Sequence, residues 1–289
     1  MSKWWTSTTA CMMRCRNEGQ WIRRSLERTF EVVDTIIIFD DGSTDTQREE
    51  CFAALGHERN ESVSGSVDIV DSERGTLHYI HSPFRPAVRT REEVNEIRDK
   101  TLLHFYCKAR IQFEHMLCLD GDEILSLEAL RNFGEAMQYL ETGSADLMTI
   151  PFIYLWDSMT MRRVDGIYGD LVDGYPRLRF PRLFSIKRMS EADLFDSHFS
   201  WQGTQGGFHC GSIPREHLRR SDGSPFQGGF YPLSVVHYGY IEDGLRQEKV
   251  AFYRNIDPNN QFEGNYNHCL GEPDQHAPGP VKLVPWNDA

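Results

Sequence analysis

The sequence has no long apolar run. Its strongest is Ile36-Ile37-Ile38-Phe39, far short of the ~20 residues a spanning helix needs, so no transmembrane span is expected. No apolar stretch follows the single lysine of Met1-Ser2-Lys3-Trp4-Trp5-Thr6, as a secretory signal requires. Positive charge is also scarce. Lys and Arg number 31 against 43 Asp and Glu, a net charge of −12. Duplex binding needs a basic footprint, so nucleic acid is not an expected partner. The cysteines, at 11, 15, 51, 107, 118, 210 and 269, are odd in number and scattered. Cys11 and Cys15 are four apart, not the CxxC of a zinc knuckle or redox pair. They read as reduced thiols packed in the core of a cytoplasmic chain, with a structural zinc site as the minor alternative. No internal repeat is visible.

The 289 residues are 39% hydrophobic and 12% aromatic, as in a folded globular protein. The first half alternates strand and helix. Strands are expected at Thr6–Met13, Val32–Phe39, Val67–Val70, Thr76–Ile80, Glu114–Leu119 and Asp146–Leu155. Helices are expected at Glu18–Thr29, Thr46–Leu55, Glu92–Lys108 and Leu127–Leu140. This alternation predicts an α/β fold, a mostly parallel sheet flanked by helices, through about residue 155. Residues 156–257, rich in Gly, Pro, Arg and aromatics, read as loops and short strands that shape a site on the same sheet. They end in an amphipathic helix at Ile241–Asn255, with Leu245, Val250 and Phe252 apolar and Arg246, Lys249 and Arg254 charged. Residues 258–289 read as a polar, Pro-containing tail that wraps the surface or is disordered.

Three stretches carry chemistry. Phe39-Asp40-Asp41-Gly42-Ser43-Thr44-Asp45 ends an apolar strand, and ligands of open α/β sheets bind at the carboxyl ends of strands. Adjacent carboxylates there need donors, such as a nucleobase edge and a ribose, unless the segment is only an Asx-rich turn capping a helix. Leu119-Asp120-Gly121-Asp122-Glu123 is a second strand ending in acids. Residues two apart in an extended chain point the same way, so Asp120 and Asp122 converge and repel unless a cation lies between them. Oxygen ligands at a phosphate-binding mouth suit Mg²⁺ or Mn²⁺, and a solvated acidic turn is the alternative. Arg14-Cys15-Arg16-Asn17-Glu18-Gly19 joins the first strand to the first helix at the same edge, or is an ordinary helix start with Asn17 as its cap.

In this order and spacing, the stretches Met13–Glu18, Asp40–Asp45 (DDGSTD) and Asp120–Glu123 (DxD) resemble a family-2-like glycosyltransferase of the GT-A fold. The resemblance covers roughly residues 7–155. It implies a Rossmann-like nucleotide-binding half (1–155) and an irregular acceptor half (156–257). Met13, Arg14, Asn17, Glu18 and Asp41 would hold the nucleotide base and ribose, supported by Asp40 and Ser43. Asp120, Gly121 and Asp122 would meet the metal and the donor diphosphate. Members carry an Asn or Arg on the helix before DxD, and Arg98 and Lys100 are the nearest candidates here. Downstream, Tyr154-Leu155-Trp156-Asp157, Arg162–Gly166, Pro181–Phe184 and Val236–Tyr240 look like the family's acceptor-side segments. His237 would complete the metal site or touch the diphosphate, or is a satisfied core histidine. Members often have a His-Glu pair whose Glu is the general base, and this chain has His209-Cys210 instead.

The implied activity is a metal-dependent transfer, inverting, from a UDP-, GDP- or dTDP-sugar to a hydroxyl of a glycan, protein or small molecule. Mn²⁺ or Mg²⁺ would stabilise the leaving diphosphate. Asp157, Asp165, Glu191 and Asp196 are candidates to take the acceptor proton, with Asp157 favoured because it follows an apolar strand. Arg163, Arg177, Arg179 and Arg182 are candidate phosphate grips. Trp156, Tyr168, Tyr175, Phe199, Trp201 and Phe208 form either a sugar-stacking wall or core. Two other classes stay open. One is a metal-dependent phosphohydrolase or nucleotidyltransferase, though the chain lacks the Gly-rich basic loop of the latter. The other is a non-catalytic nucleotide-sugar or glycan-binding module.

Overall fold

Apolar strands with no polar face must be covered on both sides. β1 (Thr9–Cys15), β2 (Thr35–Asp40) and β5 (His115–Asp120) are of this kind. Their alternate residues divide between two cores. Cys11, Met13, Ile36, Ile38, Leu117 and Leu119 face one cluster, and Ala10, Met12, Ile37, Phe39, Met116 and Cys118 face the other. The first is covered by α1 (Ile22–Thr29), α2 (Gln47–Ala54) and α4 (Leu127–Thr142), the second by α3 (Glu96–Arg110). α4 is well delimited. The Ser126 side chain accepts from Ala129 N at 3.0 Å, and Gly143, at φ 79°, ends the helix in the left-handed conformation.

The computed structural model describes residues 5, 7–57, 66–82, 96–169, 171–172, 175–176, 178–189, 201–203, 210–214, 220–231, 233–259 and 265–288. The other elements among them are β3 (Val67–Ser72), β4 (Gly75–His81), β6 (Glu123–Leu125), β7 (Leu147–Tyr154), β8 (Met161–Arg163), β9 (Leu171–Val172), β10 (Tyr175–Pro176), β11 (Arg179–Ser185), β12 (Trp201–Gly203), β13 (Cys210–Pro214), β14 (Gly228–Phe230), β15 (Val235–His237), α5 (Asp243–Ile256) and β16 (Leu283–Pro285). The main sheet runs β3-β4-β2-β1-β5-β11-β7-β15-β6, with β14 also on β7. β1, β2, β4, β5, β7, β14 and β15 point one way, and β3, β6 and β11 run against them. The protein is therefore α/β, with a mostly parallel sheet flanked by helices.

Two features of the sheet position the site. Cys15 pairs with Asp40, and Arg14 with Asp120, so β1, β2 and β5 end at one level. Beyond the antiparallel β11, His237 pairs with both Tyr154 and Glu123, which brings β15, β7 and β6 to that same edge. The second half of the chain is thus threaded into the sheet of the first. Residues 265–288 are held to it as well. β16 pairs with β8, Asp288 accepts from Leu127 N at 2.8 Å, and Tyr266 is fully buried beside Trp156, Tyr240 and Val250.

Cys11, Cys15, Cys51, Cys107, Cys118 and Cys269 are free thiols, all buried. No described helix is long and apolar enough to cross a membrane.

Candidate functional site

The carboxyl edge begins with Arg14. Its guanidinium pairs with Asp41, with Asp99 of α3 at 3.0 Å and with Glu96 at 3.5 Å. Burial opposes the Arg14 charge, and the three acids outweigh it, so the group is held above its ordinary range. Asp40 turns inward on its own loop. Its carboxylate accepts from Ser43 N at 2.8 Å and from the Gln47 amide at 3.4 Å. Asp45 accepts from Gly19 N at 2.8 Å and from Gln47 N at 3.0 Å. Asn17, left-handed at φ 56°, accepts from Thr44 N at 2.8 Å, while its own N–H donates to Ser43 Oγ at 2.9 Å. Asn17 therefore clasps the DDGSTD turn, and α1 starts later, at Ile22, without a side-chain cap. Met13 is wholly buried in the core, inside β1 between Ile38 of β2 and Leu119 of β5, so it does not reach a ligand at the edge. Arg98 pairs with Asp99 at 2.7 Å and thus backs the Arg14 cluster.

The second acidic stretch divides its two aspartates. The Asp120 side chain is 41% exposed, and Arg182 stands 3.9 Å from it. Asp122 is buried. Its Oδ2 faces Lys249 Nζ of α5 at 3.4 Å and His237 Nε2 at 3.6 Å. Burial raises the Asp122 carboxyl, and the facing His237 and Lys249 more than reverse it, leaving the group below its usual range. Burial holds the His237 imidazole down to about 4. With His237 neutral near pH 7, Lys249 is the charge that keeps Asp122 ionised. Burial likewise works against the Lys249 ammonium, and Asp122 outweighs it.

Glycines make this packing possible. A Cβ on Gly239 would overlap Asp122 Oδ2 and lie 2.9 Å from Lys249 Nζ. A Cβ on Gly121 would lie 2.8 Å from Glu18 Cγ and 3.1 Å from Cys15 Sγ. Glu18 thus lies against the DxD turn. Burial, then the Asp122 carboxylate, raises its carboxyl well above the usual range. Behind the turn, Glu123 accepts from Asp120 N at 2.9 Å and from Arg182, which sits at an irregularity in β11. Burial pushes Glu123 up to about 8 against the pull of Arg182. An irregular strand re-aims a side chain in this way.

An aromatic cluster closes the far side. His237 stacks on Tyr154 and Tyr240 at 4.9 and 5.1 Å, and Tyr240 stacks on Trp156 at 5.7 Å. Trp156, Tyr168 and Tyr240 are buried and serve as core. The proposed bases fare differently. Asp157, left-handed at φ 61°, is 55% exposed at the outer end of this cluster and pairs with Arg246 at 2.9 Å. Asp165 is buried. It holds the fully buried Arg163 at 2.8 Å and accepts from Lys282 N at 2.9 Å, so its lone pairs are taken by structure. Glu191, with Asp196, Arg177, Phe199, Phe208 and His209, lies outside the described residues, as do the side chains of Tyr175 and Trp201.

The edge thus gathers Arg14, Glu18, Asp41, Asp120, Asp122 and His237, and leaves Asp165 elsewhere. Sequence reasoning missed Lys249, which it read only as a charged position of an amphipathic helix. It also missed Gly239, and it missed Glu96 and Asp99 as partners of Arg14. The signal for the first two was the Gly between His237 and Tyr240, since a glycine there permits close approach.

The resemblance implies a divalent cation at Asp120, Asp122 and His237. The donor set does not fit one. Lys249 already faces the buried Asp122 oxygen. Gly239 N–H donates to His237 Nδ1 at 3.1 Å, so the neutral ring carries its proton on Nε2 and has no lone pair there for a metal. Among the described residues, no group of three or more His, Cys, Asp or Glu side chains is arranged to hold a metal.

No family model matches the chain, and no curated protein does. Among solved structures it is similar to one titled "Crystal Structure of a Mycobacterial Protein". That likeness has 13% identity and a TM-score of 0.35, and covers 97% of this chain and 84% of that one. It is also similar to the inositol-1-phosphate CTP transferase from T. maritima. Here identity is 9% and the TM-score 0.35, with 88% of this chain and 98% of that one covered. Likenesses this distant carry no argument about function.

Proposed function

We propose that the chain is a glycosyltransferase of GT-A type that moves a sugar from a UDP-, GDP- or dTDP-sugar to an acceptor hydroxyl. The observation that carries this reading is the shared register of three strand ends. Arg14 and Cys15 of β1 lie level with Asp40 of β2 and Asp120 of β5. The DDGSTD and DxD segments therefore stand at one edge, where an open α/β sheet binds its ligand. In this reading the Arg14–Asp41 pair and Glu18 border the base and ribose, and Asp120 and Arg182 border the diphosphate and donor sugar.

Transfer breaks the bond between the anomeric carbon and a diphosphate oxygen, and the acceptor oxygen forms the new one. The leaving diphosphate gains negative charge, which a fixed cation stabilises. The acceptor loses a proton, and Asp157 is the proposed base, being the exposed carboxylate beside the aromatic cluster. The acceptor is a glycan, a protein or a small molecule.

A non-catalytic nucleotide-sugar-binding module is the second reading. It is favoured by the engagement of Asp165 with Arg163 and of Asp157 with Arg246. Donor hydrolysis separates the two. In the transferase reading, one nucleotide sugar is slowly hydrolysed to its nucleoside diphosphate and Asp120→Asn abolishes this. Binding without turnover against any acceptor leaves the module.

A further inference from the structure

The site carries its own cation where the resemblance calls for a metal. Lys249 Nζ lies 3.4 Å from Asp122 Oδ2 and 5.0 Å from the centre of the Tyr240 ring. Its side chain is 27% exposed, beside the buried Asp122. Gly239 leaves the gap in which Asp122, His237 and Lys249 meet. His237 offers Asp122 an N–H, not a lone pair. A divalent ion entering here would have to displace the ammonium or stand beside it, and like charges this close repel strongly.

We propose that Lys249 is the fixed cation of this site, that its ammonium takes the place of a divalent ion at Asp122, and that it binds the diphosphate of a nucleoside diphosphate without metal. Asp122 is then a positioning residue, which holds the ammonium at the mouth. Lysine serves well in this role, as a compact charge with three donors. The diphosphate half of the proposal rests on the nucleotide-sugar reading, and the cation half does not.

Two measurements on the full chain separate the halves. Electron paramagnetic resonance of free Mn²⁺ reads metal uptake directly. Wild type is expected to leave Mn²⁺ free, while Lys249→Met, an unbranched side chain without the charge, uncovers Asp122 and gains a weak Mn²⁺ site. Uptake of one Mn²⁺ by wild type that Asp122→Asn removes overturns the cation assignment. Calorimetry with UDP, GDP and dTDP reads the diphosphate half. One of them is expected to bind wild type equally in chelator and in Mn²⁺. Lys249→Met should weaken it in chelator by about tenfold to a hundredfold, the worth of a charge-assisted hydrogen bond. Lys249→Arg should restore most of the loss and guards against a misfolded Met variant. Binding that needs Mn²⁺ overturns the proposal. Binding of no nucleoside diphosphate, with Mn²⁺ left free, overturns the diphosphate half together with the functional reading.

Discussion

The two acidic stretches look alike in sequence and do different work. In Asp40–Asp45 the carboxylates are consumed by the protein. Asp40 holds Ser43 and Gln47, Asp45 holds Gly19 and Gln47, and Asp41 lies on Arg14. In Asp120–Glu123 only part is consumed. Asp122 and Glu123 are buried against Lys249 and Arg182, and Asp120 faces the solvent. The first stretch is a closed frame and the second an open mouth built on it. Acid-rich strand ends are costly to bury, so each buried carboxylate must find a donor. Whatever acid is left without that obligation is the one free to meet a ligand.

Breaking the frame should hurt most. Arg14→Ala removes the guanidinium that the buried Asp41 and Asp99 share with Glu96. Urea unfolding should show a loss of ~3–5 kcal/mol, as for other broken buried pairs. A loss below ~1 kcal/mol would mean that the cluster is not a frame.

Acid should act next, on α3 and at the other end of β5. Burial lowers His104 to about 3, and lowers His115 to about 4 with Lys187 and Arg188 adding to it. Unfolded histidine takes a proton near 6.5, so between pH 6.5 and 4 the unfolded chain binds more protons than the folded one. Stability from these groups is therefore whole above pH 6.5 and falls as pH drops through that window, by on the order of 3 kcal/mol for His115. Melts of His115→Gln against pH should show a shallower slope than wild type, and an unchanged slope would refute the assignment.

Gly239 leaves the room in which Asp122 and Lys249 meet. Its replacement by Ala overlaps Asp122 Oδ2, an overpacking that costs ~1–3 kcal/mol and pushes Asp122 off Lys249. The same variant should lose nucleoside diphosphate binding by calorimetry. Full binding with unchanged stability would show that the gap is not needed.

The smallest effect on folding should come from the mouth itself. Asp120→Asn should change stability by no more than ~0.5 kcal/mol, as at other exposed positions, yet abolish donor hydrolysis. A variant that unfolds readily, or one that still turns over donor, would erase the contrast between the two stretches.

The parallel half was legible because each of its strands states its own environment. Runs such as Ile36-Ile37-Ile38-Phe39 have no polar face, so they belong between two helix layers. α1 was expected from Glu18 and begins at Ile22, because Asn17 and Gly19 are tied to the DDGSTD turn by hydrogen bonds that no periodicity reports. The second half was opaque for the same kind of reason. β15 is only three residues long, and nothing in Pro181-Arg182-Leu183-Phe184 or Val235-Val236-His237 says which strands β11 and β15 join. Arg246 and Lys249 read only as charged positions of an amphipathic helix, yet Arg246 is buried over Trp156 and Lys249 faces Asp122. Pairings between strands far apart in the chain are set by the sheet, not by local pattern. The acidic motifs were legible as strand ends at one edge of the sheet, while the division of labour within them was not.

The most direct test of the central claim is a thermal-shift panel of UDP-, GDP- and dTDP-sugars on wild type, Asp120→Asn and Arg14→Lys. A ligand that binds only the native state raises the melting temperature. One nucleotide sugar should raise it for wild type, and the rise should be lost in Asp120→Asn and weakened in Arg14→Lys. A folded wild type that shifts with none of them, with or without Mn²⁺, would contradict the assignment of this edge to a nucleotide sugar.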